Sequence, residues 1–395
     1  MVADVTGGAP PARGARVLHQ WSMDEPAARS VVELLGPSTG GIRAHVGELT
    51  RRLGTGAWRV SVVGPVGVMA DAGRQDGVVD VPSGWNPLAV VRARRQLETH
   101  LRSSPADVLH AHGSKAALVA LLVRRDARRP PIVVTVHNLV AGTQRGVAAR
   151  VLSVVERALL RRVDHVVVIS DEIAEHVRGV VPPERLTFVL PVAPPRTVGR
   201  RRHDVREGYG IDEAAPLVVI VARHHPQKDL PMFLRAFARV VAALPDARAI
   251  VVGDGPERSR IEAERRRLGL ERSVVIAGFR PNPVDEMHAA DVVALSSRWE
   301  GSPLAVVECL SLGRPLVTTA VGTVTRHLTD GVDARIVPVG DDAAFAAALV
   351  DLLSDPERSR VLGRAAGQLA GELFDPDRLA SGVADVYRRV IERTA

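Results

Sequence analysis

Short runs of β-branched residues alternate with longer segments whose apolar positions recur at helical spacing, over nearly the whole chain. Alternation of this kind is typical of βαβ units, in which a parallel sheet carries helices on both faces. The segment Val192–Arg202, with its prolines and arginines, interrupts the alternation and is interpreted as an interdomain linker. The pattern therefore predicts an α/β protein with two Rossmann-like domains, whose parallel sheets face a central interdomain cleft.

The predicted elements fall into two series. In the first half the strands end at His19, Gly64, His112, His137 and Ser170, and the helices are Ile42–Leu53, Leu88–Arg102 and Val147–Arg161. In the second half the strands end at Arg223, Gly253, Gly278, Ser297, Thr319 and Val339, with helices Leu230–Leu244, Glu257–Leu268 and Leu304–Leu312 and a helix-rich tail. Ligands of open α/β sheets bind at the carboxyl ends of the strands, so residues directly after each strand are candidates for chemistry.

This division predicts four segments: a flexible tail at 1–14, an N-terminal domain at 15–195, a C-terminal domain at 196–375 and a final helix at 376–395. The single cysteine, Cys309, excludes an internal disulfide and fits a reducing compartment such as the cytoplasm. No apolar run approaches the roughly 20 residues needed to cross a bilayer.

The formal net charge is +7, with arginine clusters near Arg124, Arg161 and Arg201. Nucleic acid is one interpretation, but aromatic residues make up only 3% of the chain, and single-strand binders need them for stacking. No nucleic-acid partner is therefore expected. Solvated arginines, peripheral contact with an anionic membrane and contact with a phosphorylated substrate all remain open.

Two glutamates flank the start of the predicted helix Leu304–Leu312. Ser302 suits the N-cap and Pro303 the first helical position, so the free amides here would present partial positive charge to an anion. Glu300 and Glu308 are acids beside this predicted anion site, and an acid does not itself bind an anion. The two side chains are therefore expected to bind another part of a ligand. Sugar hydroxyls are good donors to a carboxylate, although Glu308 facing solvent is an equal alternative.

Cations and glycines follow other strands. Arg223 and Lys228 stand after a strand and before a helix, where a cation pair suits a phosphate, although ordinary surface cations are an alternative. Gly253 belongs to a sequence that fails the GxGxxG dinucleotide pattern, because Arg258 occupies the third glycine position. Gly40 and Gly41 precede a helix and would let backbone amides approach a phosphate. No cluster of Asp and His has metal-ligand spacing, so no metal site is expected.

The spacing Glu300-x7-Glu308 within "EGSPLAVVECLSLGRPLVTTAVG" resembles the signature of the family 4 retaining glycosyltransferases, which have the GT-B fold. "VARHHPQKDLPMFLRAF", "IVVGDGPER" and "VVIAGFRPN" resemble the other C-terminal motifs of that family, in the right order. The first half matches more loosely, through "STGGIRAHVGEL", "DVLHAHG", "TVHN" and "DHVVVISD".

The resemblance implies a role for each matching residue. Glu308 would bind the ribose hydroxyls of a nucleotide and Glu300 the hydroxyls of the donor sugar. Arg223 and Lys228 would neutralise the diphosphate. The remaining donor-binding set is completed by main-chain groups and glycines: Gly253, Gly278, Phe279, Arg280, Ser302, Pro303 and Leu304.

In the first half the resemblance implies that His112 lies beside the reacting carbon, although an ordinary strand-end histidine is the alternative. Gly40 and Gly41 would close onto the phosphates. The first domain would bind the acceptor and the second the nucleotide sugar, and the final helix would pack back on the first domain.

The resulting expectation is a retaining transfer of a hexosyl unit from a UDP- or GDP-sugar to an acceptor hydroxyl, with no metal and no cofactor. The acceptor would be a small molecule, a glycan or a lipid-linked molecule, and peripheral contact with the inner membrane face stays open. The alternative is a non-catalytic nucleotide-binding protein that uses the same cleft. Two features depart from the family pattern: the long segment Gln20–Thr39 before the glycine pair, and Asp229 where many members have glycine.

Overall fold

The computed structural model describes residues 28–394 apart from 39–40, 70–72, 85, 124–128, 138–146, 191 and 194–195, and not the side chains of 147–149 and 323–324. The expected tail at 1–14, the expected strand ending at His19 and Gly40 lie outside the described residues.

The first sheet has seven parallel strands in the order β3-β2-β1-β4-β5-β6-β7. They are β1 Arg29–Leu35, β2 Trp58–Gly64, β3 Gly77–Val78, β4 Val108–His112, β5 Ile132–Val136, β6 His165–Val168 and β7 Leu186–Phe188. The helices of this half are α1 Gly41–Leu53, α2 Pro87–Ser103, α3 Ser114–Leu121, α4 Val147–Leu160 and α5 Asp171–Val177.

The second sheet has six parallel strands in the order β10-β9-β8-β11-β12-β13. They are β8 Leu217–Val221, β9 Arg248–Val252, β10 Val274–Gly278, β11 Val292–Leu295, β12 Leu316–Thr319 and β13 Arg335–Val337. The helices are α6 Arg202–Gly208, α7 Leu230–Ala243, α8 Arg258–Arg267, α9 Val284–Ala289, α10 Leu304–Ser311, α11 Gly322–Arg326, α12 Asp342–Ser354, α13 Pro356–Leu373 and α14 Pro376–Thr394. The two parallel sheets confirm the predicted α/β architecture.

The strand order reverses once in each sheet, between β1 and β4 and between β8 and β11. At such a point the connections leave in opposite directions, and a crevice opens beyond the carboxyl ends of the two strands. His112 ends β4, and the segment holding Arg223 and Lys228 follows β8. Topology alone therefore brings several of the candidate residues to the two crevices.

The expectation of a long insertion at Gln20–Thr39 is wrong. Residues Arg29–Leu35 of that segment form β1, the strand between β2 and β4, and α1 begins shortly after it at Gly41. The sequence pattern missed this strand because Glu33 interrupts its apolar run. Glu33 is nonetheless fully buried and lies in register with His110 of β4.

The final helix, α14, packs against α1 and β4 of the first sheet. Its buried residues recur at helical spacing and include Leu379, Val383 and Tyr387, which places one apolar stripe on that sheet. The Tyr387 ring meets the edge of Trp58 with centroids 5.1 Å apart. Asp375 caps the helix by accepting the amide of Asp377 at 2.9 Å. Among the described residues, no helix combines the length and apolarity needed to span a bilayer.

Arg206 of α6 connects β8 and β11, the two central strands of the second sheet, at their amino ends. Its side chain is 1% exposed and donates to Asp291 at 2.9 Å, and the same Asp291 oxygen accepts the amide of Leu217 at 2.8 Å. Four further bonds run from the guanidinium to backbone carbonyls at Asp212, Glu213, Ala215 and Ala289. This buried cation therefore fixes the starts of β8 and β11 relative to each other.

Arg206→Ala is expected to lower the free energy of unfolding by about 3 kcal/mol, because it removes one of the donors to Asp291 and the guanidinium donor to several buried carbonyls. Urea denaturation of the variant measures the change. Arg201→Ala is the control, since its side chain is 82% exposed and pairs only with Asp204, and it should leave the midpoint unchanged. Equal midpoints for the two variants would contradict the anchoring role.

Candidate active site at the interdomain cleft

The salt bridge between Lys228 and Glu300 is the centre of the second crevice. Lys228 ends the 3-10 turn after β8, and Glu300 lies in the segment after β11. Lys228 Nζ contacts Glu300 Oε1, which also accepts from Ser297 Oγ at 2.6 Å. Gln227 Nε2 donates to the other oxygen, Oε2, at 3.3 Å. Glu300 is 6% exposed, so three donors hold its carboxylate in a fixed orientation while Oε2 keeps capacity for further donors.

Asp229, directly after Lys228, has the left-handed backbone conformation with φ 43°. A residue with a Cβ is strained there, which explains why glycine suits this position. Here the carboxylate of Asp229 accepts from Arg298 Nε at 2.7 Å, and Asp tolerates this conformation better than most residues. The departure from the family pattern is therefore accommodated by a local ion pair.

Helix α10 begins at Leu304, the first residue of the predicted helix, but Ser302 and Pro303 do not take the expected N-cap and first helical positions. Its N-cap is Pro303, with no side-chain cap, and Leu304 is the first helical residue. Ser302 is therefore not the N-cap, and its hydroxyl oxygen is enclosed without a hydrogen-bond partner among the described residues. The first amides of α10 have no intrahelical acceptor. Together with exposed Arg223 at the end of β8, they offer positive charge to an anion.

Glu308, in the second turn of α10, is paired with a residue from the linker. Arg196 Nε lies 3.0 Å from Glu308 Oε1, and only 11% of the Glu308 side chain is exposed. Burial raises the pKa of Glu308, and the charge of Arg196 opposes that rise. Arg196 also donates to the carbonyl of Pro281 at 2.8 Å, in the loop after β10. The sequence did not indicate Arg196, because it belongs to an irregular segment.

The glycines Gly253 and Gly278 bring two strand ends together. Gly253 has φ 133°, and a Cβ there would overlap the carbonyl oxygen of Ala222. Its amide donates to the carbonyl of Gly278 at 2.9 Å. Beyond Gly278, Phe279 is 68% exposed, and Arg280 is occupied by a hydrogen bond of 3.1 Å to the Tyr209 hydroxyl. The Phe279 carbonyl accepts from Arg280 Nη1 at 3.2 Å, so Arg280 is held by contacts within the protein while Phe279 remains exposed at the mouth of the crevice.

In the first crevice His112 is the middle member of a hydrogen-bonded series. Its Nε2 lies 2.8 Å from Glu33 Oε2, and its Nδ1 lies 3.0 Å from His137 Nε2. The His112 side chain is fully buried, and burial lowers the pKa of His112 to about 4. His112 therefore presents neither ring nitrogen freely, and His137 extends the series further. The pair His110 and His112, two apart on one strand and so on one face, was the sequence signal for this cluster.

Glu33, His110 and His112 bring metal-capable atoms within 4.8 Å of one another, a group that the spacing of Asp and His residues along the sequence did not indicate. Hydrogen bonds account for the arrangement. Tyr387 OH donates to Glu33 Oε1 at 2.8 Å, and His110 bonds both Tyr387 and Thr135, at 2.6 and 2.7 Å. Every ligand atom already has a protein partner, and we assign no metal to this cluster.

The two crevices meet. A Cβ added at Gly41 would lie 3.3 Å from Leu304 Cδ1, and one added at Gly301 would lie 3.7 Å from the carbonyl oxygen of His137. Arg326 of α11 pairs with Asp171 of α5 at 3.2 Å. The carboxyl ends of the two sheets therefore form opposite walls of one cleft.

Comparison with known proteins identifies this arrangement. The family model for glycosyl transferases group 1 matches residues 215–355, and the glycosyl transferase 4-like domain matches residues 40–193. The chain belongs to the family 4 glycosyltransferases. The two matched regions contain the second and first crevice, respectively, of this glycosyltransferase.

Named relatives agree with the family. The chain is 26% identical to an alpha-D-kanosaminyltransferase of Streptomyces kanamyceticus, over 80% of this chain and 84% of that protein. It is 29% identical to a D-inositol 3-phosphate glycosyltransferase of Kribbella flavida, over 73% and 72%. The crystal structure of Anabaena HepE in complex with UDP-glucose superposes with a TM-score of 0.78 at 19% identity, over 91% and 99%. That likeness confirms the GT-B fold.

The conformation of Asp229 gives a direct test of this loop. Asp229→Gly and Asp229→Ala both remove the ion pair with Arg298, but only alanine keeps a Cβ in the left-handed conformation. The alanine variant should therefore be less stable than the glycine variant by about 1–2 kcal/mol. Thermal unfolding of the two variants measures the difference, and equal stability would contradict the assigned backbone conformation.

Proposed function

We propose that this glycosyltransferase moves a hexosyl unit from a nucleotide-diphosphate sugar to an acceptor hydroxyl, with retention of configuration and without a metal ion. The observation that carries the proposal is the fixed pair of Lys228 and Glu300 beside the start of α10. A cation, a buried carboxylate and a helix N-terminus thus lie at one crevice, and this combination supports a sugar joined to a diphosphate as the ligand.

Each part of the crevice suits one part of the donor. Arg223, Lys228 and the first amides of α10 would stabilise the charge that develops on the leaving diphosphate. Glu300 would accept hydrogen bonds from the sugar, and Glu308 from the ribose. The main chain at 279–280 would hold the base. Fixed cations supply the charge stabilisation that a metal ion would otherwise give, which supports transfer without a metal.

The comparisons support the donor class. The structure of HepE contains UDP-glucose, and the Kribbella flavida relative is named for D-inositol 3-phosphate. We therefore propose a UDP- or GDP-sugar as donor and a hydroxyl of a small molecule, a glycan or a lipid-linked molecule as acceptor. No cofactor is proposed. Location in the cytoplasm and peripheral contact with an anionic membrane stay predictions.

Lys228→Ala is expected to lower the turnover of sugar transfer by roughly a hundredfold or more, since it removes a cation from the leaving diphosphate. Thermal shift with UDP- and GDP-sugars first identifies the donor, because ligand binding raises apparent stability. Transfer to D-inositol 3-phosphate, and release of the nucleotide in water, then measure turnover. Arg201→Ala is the surface control. Wild-type binding without transfer or release would favour the non-catalytic alternative, and full activity of Lys228→Ala would contradict the site.

Glu308→Ala is expected to weaken UDP binding by roughly tenfold or more, about the value of one hydrogen bond to a charged group. The wild type should bind UDP more tightly than 2′,3′-dideoxy-UDP, and the variant should bind both equally. Calorimetry measures the dissociation constant of each nucleotide with the wild type and with the variant. A preference that persists in the variant would place the ribose elsewhere.

A further inference from the structure

A buried carboxylate governs the series of imidazoles in the first crevice. Glu33 is fully buried, and burial by itself raises its pKa. The charge of His110 and hydrogen bonds from His110 and His112 outweigh burial, so the pKa of Glu33 lies well below its ordinary value. Tyr387 of α14 also donates to it, at 2.8 Å. Glu33 is therefore ionised, and an ionised carboxylate only accepts hydrogen bonds.

The protons of two imidazoles follow from that single charge. His112 Nε2, at 2.8 Å from Glu33, must carry the proton that it donates. His112 and His137 are both neutral, because burial lowers the pKa of each. His112 Nδ1 therefore has a lone pair and accepts from His137 Nε2 at 3.0 Å. His137 then keeps a lone pair on Nδ1, and no partner of that atom occurs among the described residues.

The end of the series lies where the two domains meet. The His137 carbonyl faces Gly301, the neighbour of Glu300. The ring of His45, from α1, meets the His137 ring edge-on with centroids 5.4 Å apart. His45 is 2% exposed, and its Nδ1 is buried with no partner in the described part of the chain. Within the described part of the chain, two adjacent imidazoles thus each have a nitrogen without a partner beside the proposed sugar site, and a hydroxyl group, which both donates and accepts, matches that need.

We propose that Glu33, acting through His112, holds His137 as a hydrogen-bond acceptor for a substrate hydroxyl at the junction of the two domains. Glu33 is a positioning residue, and His137 is the residue that touches the substrate. The hydroxyl belongs either to the acceptor or to the donor sugar, and kinetics separate these sources. The proposal rests on the proposed sugar transfer.

The test is Glu33→Gln, which keeps the shape of the side chain and removes its charge. Its amide can donate to His112 Nε2, so both imidazoles would move their protons to Nδ1, and His137 would become a donor. Nitrogen NMR of ring-labelled histidine reads the tautomers. In the wild type, His112 and His137 should carry the proton on Nε2, and in Glu33→Gln on Nδ1. Turnover should fall by about tenfold, the value of one ordinary hydrogen bond.

Glu48→Gln is the matched control, because Glu48 is a glutamate of α1 that is 2% exposed and bonds only arginines in the hydrogen bonds observed. It should alter neither tautomers nor turnover.

His137→Ala separates the two sources of the hydroxyl. A higher KM for D-inositol 3-phosphate, with unchanged hydrolysis of UDP-glucose in water, assigns the hydroxyl to the acceptor. Slower hydrolysis of UDP-glucose assigns it to the donor sugar.

Three results would overturn the proposal: a wild-type His137 protonated on Nδ1, tautomers unchanged in Glu33→Gln, or changed tautomers with unchanged turnover. The wild-type spectrum decides the first point even where Glu33→Gln does not fold. Failure of the sugar transfer itself is distinguishable, since the wild type would then release no UDP from UDP-glucose while its tautomers remained measurable. UDP binding should be unchanged in Glu33→Gln, because the proposed diphosphate groups lie in the other domain.

Discussion

A carboxylate removed from water needs donors, and this requirement shapes both walls of the cleft. Glu33 accepts hydrogen bonds from Tyr387, His110 and His112. Glu300 accepts from Lys228, Ser297 and Gln227, and Glu308 forms a salt bridge with Arg196. Each acid is held by groups from a different element, so the positions of these elements and the orientation of the acids depend on each other.

Two of these donors come from segments outside the two matched domains: the segment between the sheets and the final helix. Arg196 belongs to the segment that joins the two sheets, and it links α10 to the loop after β10 through Glu308 and Pro281. Tyr387 belongs to α14, at the end of the chain, and reaches the centre of the first sheet. The chain crosses back to complete a polar cluster that β1 and β4 cannot satisfy alone. This crossing connects the packing of α14 to the state of His112.

Regular periodicity made much of the fold predictable, since β2 and β4 end where the apolar runs end and α7 begins at the predicted residue. The reversal of strand order then placed Lys228 and Glu300 together without further information. The residues that the pattern missed are stabilised by partners that are far away in the sequence. Glu33 made β1 look unlike a buried strand, because the donors that permit its burial come from β4 and from α14, the latter 354 residues away. Arg196 carries no local signal for the same reason, since its partner Glu308 is in α10.

The balance of charge in the cleft follows from these pairings. Lys228 shares its charge with Glu300, and Arg196 shares its charge with Glu308. Each of these cations is paired with an acid, although Lys228 keeps further N–H donors, while Arg223 has no ion pair among the described residues and the start of α10 has no side-chain cap. The uncompensated positive charge is therefore concentrated at the end of β8 and the start of α10. This distribution of charge supports the proposed donor, because a diphosphate would bind at that place while the acids on either side, already paired with donors of the protein, could accept from neutral hydroxyls.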